Sequence, residues 1–385
     1  MIHITLKKSL PVVVLVCIFV FLGRLVTLPN NSVLNSDSQW IWSNAIGSGR
    51  SFSKSVNIDK DNEYTKITYE NNKVVPNPSD KTVLILSNIG NGKSYGPELT
   101  FRNLLETICS LDYSKNSMSL GFMVGDVDEF KNVEKELDAY FSSMGSLRFS
   151  KLNQYVRKIT LLSAPFIEKE FGKIDREGRH EDNVQRLRRR TIARSRNFLL
   201  FHSLDTEQYT FFIDADIIRI PSTEMLRVFI NSGKDIIVPR ITRGDLVDYD
   251  RNSWVGQRTI PSEAQFKAMD ENKWDDWDYV PRDEPGRLLH LESFYKESLL
   301  KPQDHITRKP DYSIKLDSVG GAILFAKSIV YKQGVTFPPN YIIGTTWNRL
   351  EGYDGIETEG ICYVARVIGY ECYGMPNQVA EHSSD

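Results

Sequence analysis

Two aspartates, Asp214 and Asp216, follow directly after the apolar segment 209–213, which reads Tyr-Thr-Phe-Phe-Ile. In an extended chain, side chains two residues apart face the same side, so both carboxylates can converge on one cation. Mn²⁺ and Mg²⁺ prefer oxygen ligands, and phosphate oxygens can complete their coordination shell. The pattern therefore predicts a metal site that would neutralise the charge of a departing nucleoside diphosphate. The alternative is a turn in which one aspartate caps the following segment.

The helix predicted just before this segment carries positive charge that suits a diphosphate. Arg188 falls within the apolar stripe of the helix, where an arginine needs a partner, and its planar guanidinium matches phosphate oxygens. Arg196 and Asn197 lie nearer the end of the helix and approach the strand. With Ser87 and Asn88, which follow the first apolar strand, these residues are the candidate ligands of a nucleotide donor. The other arginines of the helix are interpreted as a solvated face or a protein-binding surface.

Two acidic groups beside glycines are candidates for the acceptor side of a reaction. Asp317 precedes the pair Gly320–Gly321, and Glu359 belongs to the segment 357–360 at the start of the last predicted helix. Glycines permit close approach of a ligand to the backbone, and a carboxylate can bind sugar hydroxyls. With the two aspartates, Asp317 and Glu359 are the predicted catalytic residues. The alternatives are a tight turn for the glycines and a favourable position at a helix amino terminus for the glutamates.

His382 stands three residues from the end of the chain, too late to belong to the predicted regular core. A lone terminal histidine usually has no special role. Here a neutral imidazole that folds back over the cleft could give the metal a third protein ligand, after Asp214 and Asp216.

These residues must be positioned by strands that alternate with helices. Such alternation predicts an α/β fold with a mainly parallel central sheet flanked by helices, in which ligands bind at the carboxyl ends of the strands. The alternation stops in a Trp-rich insertion at about 254–311. Predicted strands cover residues 83–86, 118–124, 158–162, 209–213, 235–238 and 322–325, and predicted helices cover 98–111, 128–141, 182–203, 223–231 and 358–368.

The amino terminus predicts a membrane anchor. Lys7 and Lys8 precede a mostly apolar run, which is interpreted as one uncleaved transmembrane signal anchor, with a cleaved signal peptide as the alternative. A polar segment without hydrophobic periodicity follows. A formal net charge of −2 leaves no excess of basic residues for nucleic acid. The predicted division is a cytoplasmic tail at 1–9, the anchor at 10–28, a lumenal stem at 29–80 and a catalytic domain at 81–385.

Three of the four cysteines lie outside the apolar run: Cys109, Cys362 and Cys372. In a compartment that permits disulfides, Cys362 and Cys372 form the candidate bridge. The alternative is three buried thiols.

Taken together, these motifs resemble those of the fungal Golgi mannosyltransferases that form mannan polymerase complexes and extend the α-1,6-linked mannose backbone of N-glycans. The resemblance covers about residues 81–382. It is carried by the segments 188–197, 212–216, 317–321, 357–360 and 373–377, together with His382.

The resemblance implies a GT-A type fold, GDP-mannose as the donor, Mn²⁺ (or Mg²⁺) as the ion, and retention of the α-anomeric configuration. It makes Asp214, Asp216 and His382 the metal site, a mannose-containing N-glycan the acceptor, and homologous subunits the partners. The implied location is the early Golgi membrane, as a single-pass type II protein with a lumenal catalytic domain, or else the endoplasmic reticulum.

Two alternatives to this activity stay open. One is a non-catalytic assembly subunit of such a complex. The other is an inverting transferase that uses another nucleotide sugar, in which Glu357 or Glu359 would deprotonate the acceptor hydroxyl.

Overall fold

The computed structural model describes residues 39–41, 52–72, 74, 79–142, 156–169, 182–273, 279–301 and 303–384. The predicted cytoplasmic tail and signal anchor lie outside these ranges. Within them, no helix combines the length and the apolar character needed to cross a membrane.

The secondary structure follows the predicted alternation up to about residue 240 and adds elements on both sides of it. The strands are β1 (Gln39–Ile41), β2 (Phe52–Asp59), β3 (Tyr64–Asn71), β4 (Val83–Ile89), β5 (Met118–Val124), β6 (Lys158–Ser163), β7 (Tyr209–Ile213), β8 (Ile217–Arg219), β9 (Ile236–Thr242), β10 (Trp254–Arg258), β11 (Asp283–His290), β12 (Ile314–Leu316), β13 (Ile323–Lys327) and β14 (Cys372–His382). The helices are α1 (Phe101–Ser110), α2 (Val127–Ser142), α3 (Phe166–Lys169), α4 (Asp182–Ser203), α5 (Met225–Ser232), α6 (Glu263–Asp270), α7 (Leu291–Leu300), α8 (Ser328–Lys332) and α9 (Thr358–Val367).

One large sheet organises the domain. From β2 onward its strands run in the order β2-β3-β6-β5-β4-β7-β13-β9-β14-β12, and β8 pairs with β14. The four central strands β6, β5, β4 and β7 are parallel to one another. On one side of them β13 runs antiparallel to β7 and β9, and on the other side β3 runs antiparallel to β6. The α/β prediction is confirmed.

The prediction of a mainly parallel sheet is wrong, because the sheet as a whole is mixed: among the described strands, parallel pairing is confined to the four central strands and to the β9–β14 pair. Only strands joined by a crossover of a dozen or more residues can be parallel neighbours, whereas a short turn joins antiparallel neighbours. The β2–β3 hairpin is joined by such a turn at residues 60–63.

The two faces of β4 explain why this strand reads as a continuous apolar run. Val83 and Ile85 pack in the core under α1, α2 and α5, whereas Leu84 and Leu86 pack in the core under α4, α8 and α9. Side chains of a strand alternate between faces, and both faces are covered, so every position must be apolar. Each such side chain contributes about 1.5–3 kcal/mol when it is fully buried. The central strands therefore form a rigid support for the residues at their carboxyl ends.

The ordered domain begins before the predicted boundary at residue 81. Residues 52–71, predicted as part of the stem, form the β2–β3 hairpin, in which Ile67 pairs with Leu161 of β6. Lys54 of the hairpin donates to Glu134 of α2 at 2.8 Å. The prediction of a stem missed this hairpin, because the buried residues of the hairpin alternate with polar ones and give no continuous apolar run.

The end of the chain also belongs to the sheet. His382 is the last residue of β14, which runs parallel to β9 and antiparallel to β8. The prediction that His382 lies beyond the regular core is therefore wrong. A register irregularity between Met375 and Val379 interrupts the pairing with β9. Because Pro376 and two polar residues fall in this irregularity, the sequence shows no clear strand pattern there.

A disulfide joins Cys362 of α9 to Cys372 at the start of β14, and Cys109 is a thiol. The structure thus forms the candidate bridge and places it beside the strand that carries His382.

The Trp-rich insertion folds into short elements, and Leu291 of α7 packs in the core of the domain. Its strands β10 and β11 form a two-stranded antiparallel sheet. Trp254 is buried, and the guanidinium of Arg258 lies 5.4 Å from the centre of its ring. Trp274 and Trp277 lie outside the described residues.

Candidate functional site

The Asp pair, defined as Asp214 and Asp216, lies at the carboxyl end of the central strand β7. The backbone N–H of Asp214 donates to the carbonyl of Ala322 at 2.9 Å, and the N–H of Ile217 donates to the carbonyl of Asp214 at 3.2 Å. The chain therefore turns directly after the strand. By alternation, Asp214 shares the face of Phe212, which packs in the core beneath α4. The sequence predicted this position correctly.

Arg196 of α4 binds Asp214 directly. Its Nη2 donates to Oδ1 of Asp214 and to the carbonyl of Gly321, both at 2.8 Å. Its Nε lies 3.2 Å from Oε1 of Glu357. The guanidinium is buried between two phenylalanine rings. A Cβ on Gly321 would come within 2.9 Å of Nη2, so the glycine makes room for this arginine.

His382 binds the second aspartate of the pair. Its Nε2 lies 3.1 Å from Oδ2 of Asp216, and its Nδ1 lies 2.8 Å from the carbonyl oxygen of Ser383. A carbonyl oxygen only accepts hydrogen bonds, so Nδ1 carries a proton. Nε2 then faces the carboxylate either as a second N–H or as a lone pair with a cation nearby. Burial alone would lower the pKa of His382, but the hydrogen bond and charge of Asp216 outweigh it and raise the pKa.

Two further carboxylates stand beside the Asp pair. Asp250 accepts a hydrogen bond from the N–H of Ala322 at 3.0 Å, and Glu357 lies against Arg196. A Cβ on Gly320 would lie 2.0 Å from Oδ2 of Asp250, so this glycine admits a carboxylate. The group holds four carboxylates, from the Asp pair, Asp250 and Glu357, against the one guanidinium of Arg196. When all four carboxylates are ionised and His382 is neutral, the net charge of this group is three negative charges, four minus one.

The pKa of Asp214 responds to this surplus. Burial raises the pKa of Asp214 to about 7, and the charges of Asp216 and Glu357 add to the shift, while Arg196 opposes it. Burial raises the pKa of Asp250 as well. A bound cation would favour the ionised form of such carboxyls, because opposite charge stabilises it.

Ser87 and Asn88 lie within the last residues of the neighbouring strand β4, which extends to Ile89, so the prediction that they follow this strand is wrong. Leu86 pairs in register with Phe212, so Asn88 stands beside the start of the Asp pair. The hydroxyl of Ser87 and both amide atoms of Asn88 are buried without a hydrogen-bond partner among the described residues. Buried polar groups are normally paired, so these atoms are available to a polar ligand.

The donor atoms at this edge fit a divalent cation whose shell is completed by a substrate. Within the described part of the chain, no three His, Cys, Asp or Glu side chains are arranged as a ready-made metal site. Asp216 and His382 already meet, whereas Asp214 is engaged by Arg196. Carboxylate oxygens and an imidazole suit Mn²⁺, and the surplus of negative charge favours any cation.

Two residues of α4 predicted as donor ligands do not meet the Asp pair. Asn197 has other hydrogen-bond partners, and Arg188 lies farther along the helix. Asn197 donates from Nδ2 to the carbonyl of Phe337 at 2.7 Å and accepts from its N–H at 2.9 Å. Both ends of this amide therefore hold the chain after α8 against α4. Arg188 is half-buried eight residues before Arg196, which is about 12 Å along the helix axis.

Asp317 is held apart from the Asp pair by its own partners. Its Oδ2 accepts from the N–H of Gly256 at 2.9 Å, and its Oδ1 lies 3.0 Å from Nη2 of Arg366. Arg366 lies in the last turn of α9, about 12 Å along the helix axis from its start beside Glu357. The structure therefore gives Asp317 a role in tying β10 to α9.

Glu359 lies in a second cluster of charges, not against the Asp pair. Its Oε1 accepts from Arg189 at 2.7 Å, and its Oε2 accepts from Arg258 at 3.1 Å. Asp354 lies 3.8 Å from the same Arg258. Arg190, one position along α4, pairs with Glu351. The arginines Arg189 and Arg190 are therefore neither a solvated face nor a protein-binding surface, because they hold the segment 337–359 against α4.

Sequence reasoning missed Asp250 and undervalued Glu357. Asp250 lies at the edge of the irregular insertion, where no strand or helix pattern in the sequence points to it. Only its contact with Gly320 in the structure reveals its position. Glu357 has the positive φ angle of 56°, which no sequence pattern reveals.

Sequence relatives match most of the chain. The family model described as Anp1 matches residues 61–341. The mannan polymerase complex subunit mnn9 of Schizosaccharomyces pombe is 28% identical over 329 residues, covering 82% of this chain and 86% of that protein. The mannan polymerase complex subunit MNN9 of Candida albicans is 27% identical over 292 residues, covering 73% of this chain and 71% of that protein.

Among solved structures, the mannosyltransferase PcManGT of Pyrobaculum calidifontis, in complex with GDP-Man and Mn²⁺, is similar with a TM-score of 0.39 and 12% sequence identity. The match covers 80% of this chain and 59% of that chain.

Proposed function

The chain belongs to the Anp1 family, and from that premise we propose that it is a glycosyltransferase that moves mannose from GDP-mannose to an α-mannose acceptor. The family match confirms the resemblance to mannan polymerase subunits that the sequence predicts. One observation carries the proposal: the Asp pair ends a central strand and is joined there by His382 and Arg196. Such a group can bind a cation and a diphosphate together.

Each residue of the site has a part in this proposal. Asp216, His382 and one oxygen of Asp214 would hold a Mn²⁺ or Mg²⁺ ion, which when bound would neutralise charge on the departing GDP. Arg196 orients Asp214 by its hydrogen bond to Oδ1. The unpaired groups of Ser87 and Asn88 would bind polar atoms of the donor.

The finer features of the activity belong to the same proposal. The fold would be of GT-A type, supported by the four parallel central strands with the Asp pair at their carboxyl edge. The product would be an α-1,6 linkage made with retention, on an N-glycan, by a complex with homologous subunits. Support for the complex comes from the relatives named as mannan polymerase complex subunits.

We also propose an early Golgi location as a single-pass type II membrane protein. Residues 10–28 would form the anchor, and the domain from about residue 52 would be lumenal. The disulfide between Cys362 and Cys372 supports a lumenal domain, because disulfides persist in oxidising compartments. Protease treatment of intact Golgi vesicles should spare this domain unless detergent is added.

The inverting alternative loses Glu359 as its general base, whereas Glu357, its other candidate, lies beside the Asp pair and keeps this alternative open. A general base must reach the acceptor proton, and Glu359 is buried between Arg189 and Arg258. The non-catalytic alternative is tested by measuring whether the chain transfers mannose.

The test is transfer of mannose from GDP-mannose to α-mannobiose by the detergent-purified full chain, with Mn²⁺ or with a chelator. We expect product only with the metal, and a loss of about 10³-fold in turnover for Asp216→Asn, since transition-state charge would lose its counter-ion. Asp317→Asn, whose partners lie elsewhere, is the matched control and should stay within a few-fold of wild type. GDP binding without product would indicate a subunit that needs its partner, and no GDP binding would refute the donor assignment.

A further inference from the structure

Glu357 holds its backbone in a conformation that residues with a side chain rarely adopt. Its φ is 56° and its ψ is −130°, at the position just before α9 begins. Glycine enters this region freely, but a Cβ makes it costly. Strain of this kind persists where the surrounding structure requires a particular side chain at that point.

The side chain of Glu357 contacts the helix that it precedes at the hydroxyl of Thr358 and does not cap its backbone. It makes no capping hydrogen bond to the first turn of α9. Its Oε2 accepts from the hydroxyl of Thr358 at 3.0 Å, and its Oε1 lies 3.2 Å from Nε of Arg196. The carboxylate is therefore directed to Arg196.

Arg196 is shared between two carboxylates. It reaches Asp214 through Nη2 alone and on Oδ1 alone, while its Nε faces Glu357. Without the second carboxylate, a guanidinium prefers to bind both oxygens of one partner with two parallel N–H groups. Such a fork on Asp214 would occupy the oxygen that a cation needs.

We propose that Glu357 is a positioning residue: its carboxylate keeps Arg196 from closing on both oxygens of Asp214, so that one oxygen stays open to a divalent cation. The strained backbone stands at the position from which the carboxylate of Glu357 meets Arg196. This inference rests on the proposed function for the ligand, which is Mn²⁺ with GDP.

The first test measures Mn²⁺ binding in the presence of GDP, from the electron paramagnetic resonance signal of free Mn²⁺, with the purified full chain. E357Q, E357A and E357G should each bind Mn²⁺ about 10–100-fold more weakly than wild type, the usual effect of losing a residue that orients a metal ligand. The KM for GDP-mannose should rise more than kcat falls.

The matched control is E351Q. Glu351 is also buried, belongs to the same segment and pairs with Arg190 of the same helix, but it does not contact Arg196. E351Q should keep the wild-type affinity for Mn²⁺.

The second test compares the melting temperatures of E357A and E357G. E357G should melt at the higher temperature, because glycine removes the backbone strain that alanine retains, although both variants lose the carboxylate. E357G should therefore be more stable than E357A and yet bind Mn²⁺ no better. If Glu357 had only a structural role, the more stable variant would also bind Mn²⁺ more tightly.

Wild-type Mn²⁺ affinity in E357A, or equal melting temperatures for E357A and E357G, would overturn the proposal. If wild type itself fails to bind Mn²⁺ and GDP, the proposed function is overturned together with this inference. If wild type binds them and E357A binds them equally well, only this inference is overturned.

Discussion

Two acidic clusters lie along α4, and they differ in the balance of their charges. Around the Asp pair, four carboxylates surround one guanidinium, that of Arg196, which contacts two of them, Asp214 and Glu357. In the Glu359 cluster, defined as Glu359, Asp354, Arg189 and Arg258, two carboxylates meet two guanidinium groups. The first cluster has an excess of negative charge, and the second is neutral.

The pKa values follow this difference. Burial alone would raise the pKa of Glu359, but Arg189 and Arg258 outweigh it and lower the pKa. The pKa of Asp214 is raised to about 7 although it too contacts an arginine. Asp354 departs from the pattern, since burial and the charge of Glu359 raise its pKa to about 6. Contact with an arginine therefore does not show that a carboxylate has a structural role. The net charge of the whole cluster distinguishes a cluster that stabilises the fold from one that attracts a cation.

The largest expected effect is on the neutral cluster. Glu359→Ala should lower the free energy of unfolding by about 3–5 kcal/mol, because it leaves the buried Arg258 and the half-buried Arg189 without their main partner. Urea denaturation followed by circular dichroism measures this change. Asp214→Asn is the counterpart in the other cluster and, at about pH 7.5 without metal, should leave stability unchanged or higher. Equal losses in both variants would remove the distinction between the clusters.

A smaller effect concerns the metal affinity of the Asp pair. His382→Ala should weaken Mn²⁺ binding about 10–100-fold, because it removes the imidazole that faces Asp216. Isothermal titration with Mn²⁺ in the presence of GDP measures the affinity. His290→Ala is a matched control, since His290 is also a buried histidine paired with an aspartate, Asp283, in the insertion. If both variants bind Mn²⁺ like wild type, His382 is not a ligand.

The smallest expected effect is a dependence on pH. Asp214 must lose its proton to bind a cation, and its pKa is raised from the ordinary 3.8 to about 7. Its contribution to the stability of the metal-free protein is therefore present at low pH and lost as pH rises through about 7. Affinity for Mn²⁺ should rise about tenfold between about pH 6 and about pH 7.5, since binding releases one proton. Asp214→Asn should flatten this dependence to the part that His382 contributes, and a flat profile in wild type would contradict the raised pKa.

Much of the central sheet could be predicted from the sequence. The strands β4, β5 and β7 are continuous apolar runs because they are buried on both faces, and local composition records such burial. The β2–β3 hairpin and β14 could not be predicted in this way. Their buried residues alternate with polar ones or are interrupted by an irregularity. These segments are therefore recognised as strands only from their pairing with the neighbouring strand.

The position of the Asp pair was determined by the sequence alone, because two carboxylates directly after a buried strand must emerge at its carboxyl end. The tertiary structure alone decided which acids share that edge. Arg196 meets Glu357 across 161 positions of chain, 357 minus 196, and Asp250 meets Gly320 across 70, 320 minus 250. Electrostatic pairing depends on distance in space and on the direction of each side chain, and neither is recorded in the order of residues.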